Sequence, residues 1–209
     1  MSPDSAGEPK RALITGGAGF IGSHLSEELL NRGFQVTVID NLSTGNLENI
    51  TQLTKKPGFK LIVDSIHNDN VLHKAVKDCD VIFHLAAAVG VNLIVNDPVQ
   101  VIETNILGTH SVLKAANLYG RKTLIASTSE IYGKGIKSPF AEYDDRVLGP
   151  TTTARWSYAA SKAVDEFLAF AYHRQFNLPI VIFRLFNTVG PRQTGKYGMV
   201  LPRFVESII

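Results

Sequence analysis

The chain has 209 residues, 44% of them hydrophobic, a net charge of +2 and one cysteine. That length suits one domain or slightly more, and the small charge leaves no basic surface for coating nucleic acid. The longest apolar run, 81–91, is too short and too interrupted to cross a bilayer, and the lone Cys79 can form no internal disulfide, which fits a reducing, cytoplasmic setting.

Residues 1–10 are polar, with two prolines, a glycine and two acids. They are expected to form a loose tail, because they lack the apolar centre of a signal peptide. Strands are expected at 11–15, 35–39, 59–63, 81–84, 123–126 and 180–184, mostly as near-continuous apolar runs, the mark of strands covered on both faces. Helices are expected between them at 21–32, 47–54, 70–77, 98–118 and 158–176, with Asp97 and Pro98 supplying the cap and first position of the fourth. Such alternation implies an α/β fold, a Rossmann-type doubly wound parallel sheet with helices on both faces and right-handed crossovers. Ligands bind such sheets beyond the carboxyl ends of the strands. The segments of interest are therefore 16–22, 40–41, 64–66, 85–91, 127–132 and 185–192.

The first of these contains Gly16, Gly19 and Gly22, spaced by three between an expected strand and the expected helix at 21–32, with Phe20 just before Ile21 at its start. A tight turn, close backbone approach and close helix packing are what a pyrophosphate at a helix N-terminus needs. The second strand leads into Asp40, whose carboxylate can accept both ribose hydroxyls of NAD and repel the extra phosphate of NADP; Asn41 follows where an arginine would have argued for NADP. NAD is the expected cofactor.

Tyr158 and Lys162 lie four apart on an expected helix and so share a face. A phenol titrates near pH 10 when free. A neighbouring ammonium, with a cationic nicotinamide, is expected to favour the phenolate, which would then take a proton from a sugar hydroxyl while carbon gives up hydride. Ser127, Thr128, Ser129 and Glu130 follow the fifth strand on the same side. A hydroxyl there can hold the substrate in line, although such residues also cap and turn backbone. Glu130 offers an acid or base for a second step. His84 is expected to be a strand-end core histidine, Phe186 a packing residue and Arg192 a solvated surface arginine.

Read together, Gly16–Gly22, Asp40 with Asn41, His84 through Ala87, Asn105 with Gly108 and Thr109, Ser127–Gly133, Tyr158–Lys162 and Arg184 through Asn187 resemble the extended short-chain dehydrogenase/reductases. The resemblance is to their NAD-dependent nucleotide-sugar epimerase, dehydratase and decarboxylase group, and it runs from Ala12 to the end of the chain. It implies that Thr128 works with the catalytic Tyr158, that Lys162 binds the nicotinamide ribose, and that Leu85, Ala86 and Ala87 line the cofactor. It also implies that Asn105 bends its helix and supports the cofactor pocket. Val89, Thr128, Ser129 and Asn187 would meet the substrate, a UDP-, GDP- or dTDP-linked sugar. At the adenine, Ser65, followed by Ile66, stands where the group often has aspartate; whether Asp64 or Ser65 faces the base stays open.

Members of the group begin by oxidising the sugar at C4. A nucleotide-sugar 4-epimerase is the first reading here, with a UDP-glucuronate decarboxylase and a 4,6-dehydratase as alternatives. An NAD-sensing regulatory domain is the non-enzymatic one. The segment 184–195 with Tyr197–Val200 resembles chains labelled epimerases. Thr128-Ser129-Glu130 resembles UDP-glucuronate decarboxylases and GDP-mannose dehydratases alike, Arg155-Trp156 with Tyr158 resembles a decarboxylase subset, and an epimerase has no evident need of Glu130. The resemblance further implies a homodimer through the two long helices and a small C-terminal substrate domain. Residues 11–190 are expected to form the NAD-binding domain and 191–209 the start of the substrate region, with the chain stopping inside a helix at 201–209. These residues alone are expected to bind NAD and to turn over slowly or not at all.

Overall fold

A computed structural model describes residues 10–135, 137–196 and 200–208. The expected tail up to Pro9, and residues 197–199 of the epimerase-like run, lie outside the described residues. Six strands form one parallel sheet: β1 (Arg11–Thr15), β2 (Gln35–Asp40), β3 (Phe59–Val63), β4 (Val81–His84), β5 (Lys122–Thr128) and β6 (Ile180–Leu185). Their order is β3-β2-β1-β4-β5-β6, so the sheet reverses direction of growth between β1 and β4. That reversal opens the crevice in which doubly wound sheets hold ligands.

Side chains alternate across the sheet, as the two-residue period of a strand dictates. Leu13, Ile39, Ile82 and Ile125 pack on one face with Leu72, Val112, Leu113 and Ala169, which come from α2 (Asp69–Lys77), α4 (Pro98–Tyr119) and α5 (Trp156–Phe176). Ala12, Ile14, Val36 and Val38 pack on the other face with Leu29 of α1 (Phe20–Asn31). Helices therefore cover both faces. On the second face, Val81 and Phe83 are only half-buried, and Val181 is 40% exposed. The described chain covers that face completely only over β1 and β2.

Three local departures from the expected elements have physical causes. The expected helix at 47–54 is a pair of short 3-10 turns, Leu47–Asn49 and Thr51–Leu53. Polar side chains there compete for backbone groups: Asn46 accepts from the Glu48 N–H, Thr51 donates to the Leu47 carbonyl, and Gln52 to that of Asn49. Ile50 and Leu53 nevertheless plug the space under Ala18. A short helix not expected from the sequence, α3 (Val91–Asn96), follows β4; at 6 residues it is too brief for helical periodicity to register. Strand β5 runs to Thr128, beyond the expected end at 126, because β6 pairs with it as far as Leu185. Ser127 thus alternates inward with Ile125. The last helix, α6, spans Val200–Ile208.

Candidate active site

Beyond the carboxyl ends of the strands lies a cleft of about 1040 Å³. Its walls bring together Gly16, Gly19, Phe20, Ile21 and Gly22 with Asp40, Asn41, Asp64, Ser65 and Ile66, and with Leu85, Ala86, Ala87 and Val89. Ser127, Thr128, Glu130, Tyr158, Lys162 and Asn187 complete the expected set there. Asn105 and Ser129 are not among the lining residues. The sequence reading also missed four wall residues: Leu93 and Ile94 of α3, and Gln100 and Thr104 on α4.

The glycine turn is built by close backbone contact. Gly16 sits at φ +74°, and a Cβ there would lie 2.7 Å from the Ala86 nitrogen, so the β1 and β4 exits touch. A Cβ on Gly22 would overlap the Gly16 carbonyl and stand 2.7 Å from the Gly17 Cα, so α1 is pressed onto its own turn. A Cβ on Gly19 would meet only the Gly16 carbonyl, at 3.3 Å, which leaves the face toward the cleft open. Gly19 caps α1 without any side-chain hydrogen bond, and the first turn holds no acid. Free N–H groups and the positive helix end are therefore offered to an anion.

Asp40 is 8% exposed and accepts from the Ala18 N–H at 2.9 Å and from the Leu42 N–H at 2.8 Å. It ties the glycine turn to the β2 exit, and its carboxylate retains lone-pair capacity for further donors. At the third strand, Asp64 accepts from the Ser65 N–H and the Asn68 amide, one bond on each oxygen. Ser65 accepts from the His67 N–H and keeps its own proton. Both line the cleft. A glycine cradle, an uncapped helix start and a carboxylate at the ribose position fit NAD.

Asn105 works from behind. It is 1% exposed; its Oδ1 accepts from the Ala88 N–H at 2.8 Å, and its Nδ2 reaches the Ala88 carbonyl and the Ser161 hydroxyl, both at 3.3 Å. Ser161 in turn donates to the Tyr158 carbonyl. Asn105 thus locks the loop after β4 to the helix that carries Tyr158, and its role is support rather than contact. Helix α4 continues unbroken through it.

Ser127 also turns inward. Its hydroxyl donates to Glu166 at 2.5 Å, and Glu166 is held by the Arg184 fork at 3.0 and 2.8 Å. Burial raises the Glu166 carboxyl, but those bonds and the charges of Arg184 and Arg146 outweigh it, so Glu166 is held below the usual range. The Ser127 hydroxyl is therefore part of the scaffold under the cleft.

Tyr158 rests on Ala88, Ile94 and Val101, and shares the cleft with Thr128. Without a bound cofactor its proton is held more tightly than in free phenol: burial is the main cause, the carboxylates of Glu130 and Asp165 add to it, and Thr128 partly offsets them. The Lys162 ammonium is paired with Asp165 at 2.7 Å, with 3% and 0% of the two side chains exposed. Asp165 is the main residue that the sequence reading overlooked, although its position three after Lys162 on one helix is a usable signal. Glu130 is likewise raised, by burial, with Arg155 pulling the other way. That brings its proton closer to the neutral range, as a general acid needs.

His84 is a core histidine, as expected, fully bonded between Thr15 at 2.7 Å and Thr109 at 3.0 Å. Cys79 is buried and its thiol pushed up to about 12 by desolvation, so it is inert. One expectation fails at the surface. Arg192 is not freely solvated: it pairs with Glu27 of α1 at 2.8 Å and lines the cleft. Phe186 packs on Tyr132 and Phe140, as expected, although 58% of it stays exposed. Among the described residues no cluster of side chains suits a metal ion, and no helix is long and apolar enough to cross a membrane.

Comparison with known proteins agrees with this geometry. Residues 13–209 match the model of the GDP-mannose 4,6-dehydratase family. The chain is 47% identical over 201 residues to the UDP-N-acetyl-alpha-D-glucosaminuronate decarboxylase of Bacillus cytotoxicus, covering 96% of this chain and 61% of that protein. Among solved structures, it superposes on the UDP-N-acetylglucosamine 4-epimerase of Methanobrevibacter ruminantium M1 with a TM-score of 0.87 and 32% identity, over 97% of this chain and 63% of that one. The dTDP-glucose 4,6-dehydratase of Streptomyces venezuelae, solved with NAD, gives a TM-score of 0.86 at 32% identity, over 95% of this chain and 62% of that one. The chain thus spans about three fifths of the length of these relatives.

Proposed function

This chain belongs to the GDP-mannose 4,6-dehydratase family, and on that premise we propose that it is the NAD-binding part of an enzyme that oxidises a nucleotide-linked sugar transiently at C4. The observation that carries the reading is Tyr158 sharing one cleft with Thr128, Lys162 and the glycine turn. NAD, when bound, supplies the hydride acceptor and later the donor. Thr128 orients the C4 hydroxyl and Tyr158 takes its proton. Asp40 and the uncapped start of α1 hold the dinucleotide, while Asn187 and Val89 border the sugar side. Either the Asp64 turn or the free proton of Ser65 meets the adenine.

For the step that follows, decarboxylation of a uronic acid is favoured over the 4-epimerase placed first by the sequence. A ketone at C4 is β to a C6 carboxylate, so the C5–C6 bond can break with its electron pair delocalised into the carbonyl. C5 then needs a proton. Glu130 lines the cleft with its proton held closer to neutrality, in position to serve that step. The 47% identity to a uronate decarboxylase supports the same reading. The 4-epimerase remains the second reading on the likeness to the Methanobrevibacter enzyme.

Incubation of the intact protein with UDP-, GDP- and dTDP-linked hexoses and uronic acids, read by mass and NMR, separates these outcomes. Loss of carbon dioxide is expected; an unchanged mass with inverted C4 would install the epimerase, and loss of water the dehydratase. No product from any sugar would remove the C4-oxidation reading.

The assembly we infer is a cytoplasmic homodimer. Val164, Phe167 and Phe170 on α5 are 38%, 61% and 48% exposed, beside Leu107 on α4 at 52%. A patch of this kind, left open, is an association surface. Sedimentation velocity at micromolar concentration should give a dimer, and a Phe167→Glu, Phe170→Glu variant a monomer; a wild-type monomer would refute it.

A further inference from the structure

The stretch after β6 is fastened to the helix that opens at the glycine turn. Arg192 donates from Nη2 to Glu27 Oε2 at 2.8 Å and from Nη1 to the Ser23 hydroxyl at 3.4 Å. His24 Nε2 donates to the Pro191 carbonyl at 3.0 Å. A Cβ on Gly190 would lie 3.2 Å from the Phe20 ring, so the chain there runs flush against that ring. Positions 20, 23, 24 and 27 form one stripe of α1. The stripe begins at the uncapped helix start that is offered to the dinucleotide.

The fastened segment also walls the cleft, through Thr188, Val189, Arg192, Gln193 and Thr194. Its shape depends on being held. Arg192 sits at φ +71°, in the left-handed region that side-chain-bearing residues avoid, and such a conformation persists where its surroundings over-determine it. Within the segment, the Gln193 N–H donates to the Gly190 carbonyl at 3.3 Å, and the Gln193 side-chain amide to the Thr188 carbonyl at 3.1 Å. These bonds stiffen 188–193 into one piece. The ion pair that secures it is only partly shielded, with 24% of the Arg192 side chain and 32% of the Glu27 side chain exposed, so water competes for it. Every group in the fastening belongs to the protein.

We propose that residues 188–194 are a strap that gates the cofactor cleft, and that Glu27 is the positioning residue that latches it through Arg192. The proposal rests on the NAD-binding reading above. A latch made of protein groups alone is the same with the cleft filled or empty. It therefore sets how fast the dinucleotide passes and leaves its affinity alone. The chemistry has a use for that. An enzyme that hands hydride to NAD and later takes it back must keep the reduced cofactor while the oxidised sugar waits. Slow passage achieves this without tighter binding. A carboxylate that merely braced α1 would change stability and leave both rates of passage as they were.

The test follows NADH fluorescence by stopped flow in the intact protein, reading uptake directly and release by displacement with excess NAD. In Glu27→Gln both rates should rise by about fivefold, the upper reach of a partly exposed ion pair, with the dissociation constant unchanged within about twofold. Glu27→Asp keeps the charge but retracts it by one methylene. It should quicken both rates in the same sense, and it decides the matter if Glu27→Gln does not fold. Glu28→Gln, whose partner is Arg32 at the end of α1, should leave both rates as in wild type. Rates that rise less than about twofold in the Glu27 variants overturn the proposal, as does an equal rise in Glu28→Gln. Quickening in one direction alone also overturns it, since faster release with unchanged entry would make the segment a cofactor contact. A protein that takes up no NADH removes the NAD-binding reading and the proposal with it, an outcome distinct from uptake at an unaltered rate.

Discussion

Tyr158→Phe is expected to lower turnover of the active nucleotide-sugar by roughly 10²- to 10⁴-fold, the usual worth of a positioned acid or base, while NAD affinity stays within a factor of about three. The phenol oxygen is the group lost; the ring, which packs on Ala88, Ile94 and Val101, stays in place. The dinucleotide contacts through the glycine turn and Asp40 lie elsewhere in the cleft. Steady-state rates and fluorescence titration with NAD measure the two quantities independently. A domain that only senses NAD would lose nothing with this substitution. Turnover persisting at wild-type rate would therefore remove Tyr158 from the chemistry and reopen that alternative.

Acid should destabilise the protein through a single buried ring. His84 is completely buried, and desolvation, reinforced by the Lys162 charge, lowers its pKa to about 3. The unfolded chain, by contrast, gains a proton on this residue near pH 6.5. Between those values the unfolded state binds the proton and the folded state does not, so stability rises with pH. The contribution is fully present above about pH 6.5 and is lost as pH falls toward 3, at roughly 1.4 kcal/mol per unit and about 5 kcal/mol in total. Urea unfolding from pH 7 to pH 4 measures the slope. In His84→Gln the slope should drop by one proton's worth, although the variant starts lower for want of the Thr15 and Thr109 bonds. Equal slopes in both proteins would mean that His84 is already charged in the fold.

Pairing of buried polar groups explains why the fold tolerates so much polarity at its centre. Thr15, His84, Thr109, Lys162 and Asp165 are all buried, directly beneath the β1 and β4 exits where the sheet reverses. Nearly every polar atom has its partner, which turns costly burial into rigidity. Asn105 and Ser161 extend the same logic to the loop after β4. The cleft is thus lined by atoms whose positions are fixed from behind, as preorganised chemistry requires.

What the sequence determined by itself was whatever short-range rules govern. The strand runs, the glycine spacing at 16, 19 and 22, Asp40 at a strand end and the Tyr158–Lys162 pair on one helix face follow from residue type and local period, and each stands in the structure where it was expected. Tertiary structure alone decided which partner each polar group takes. Ser127 turned to Glu166 because β5 pairs with β6 two residues farther than its own composition suggests. Arg192 found Glu27 across 165 residues of chain. The Lys162 ammonium found Asp165, a buried partner that the spacing from Tyr158 to Lys162 did not reveal. Spacing along a helix or strand is a local property that one chain segment carries, whereas burial and charge balance are sums over everything that folds against it.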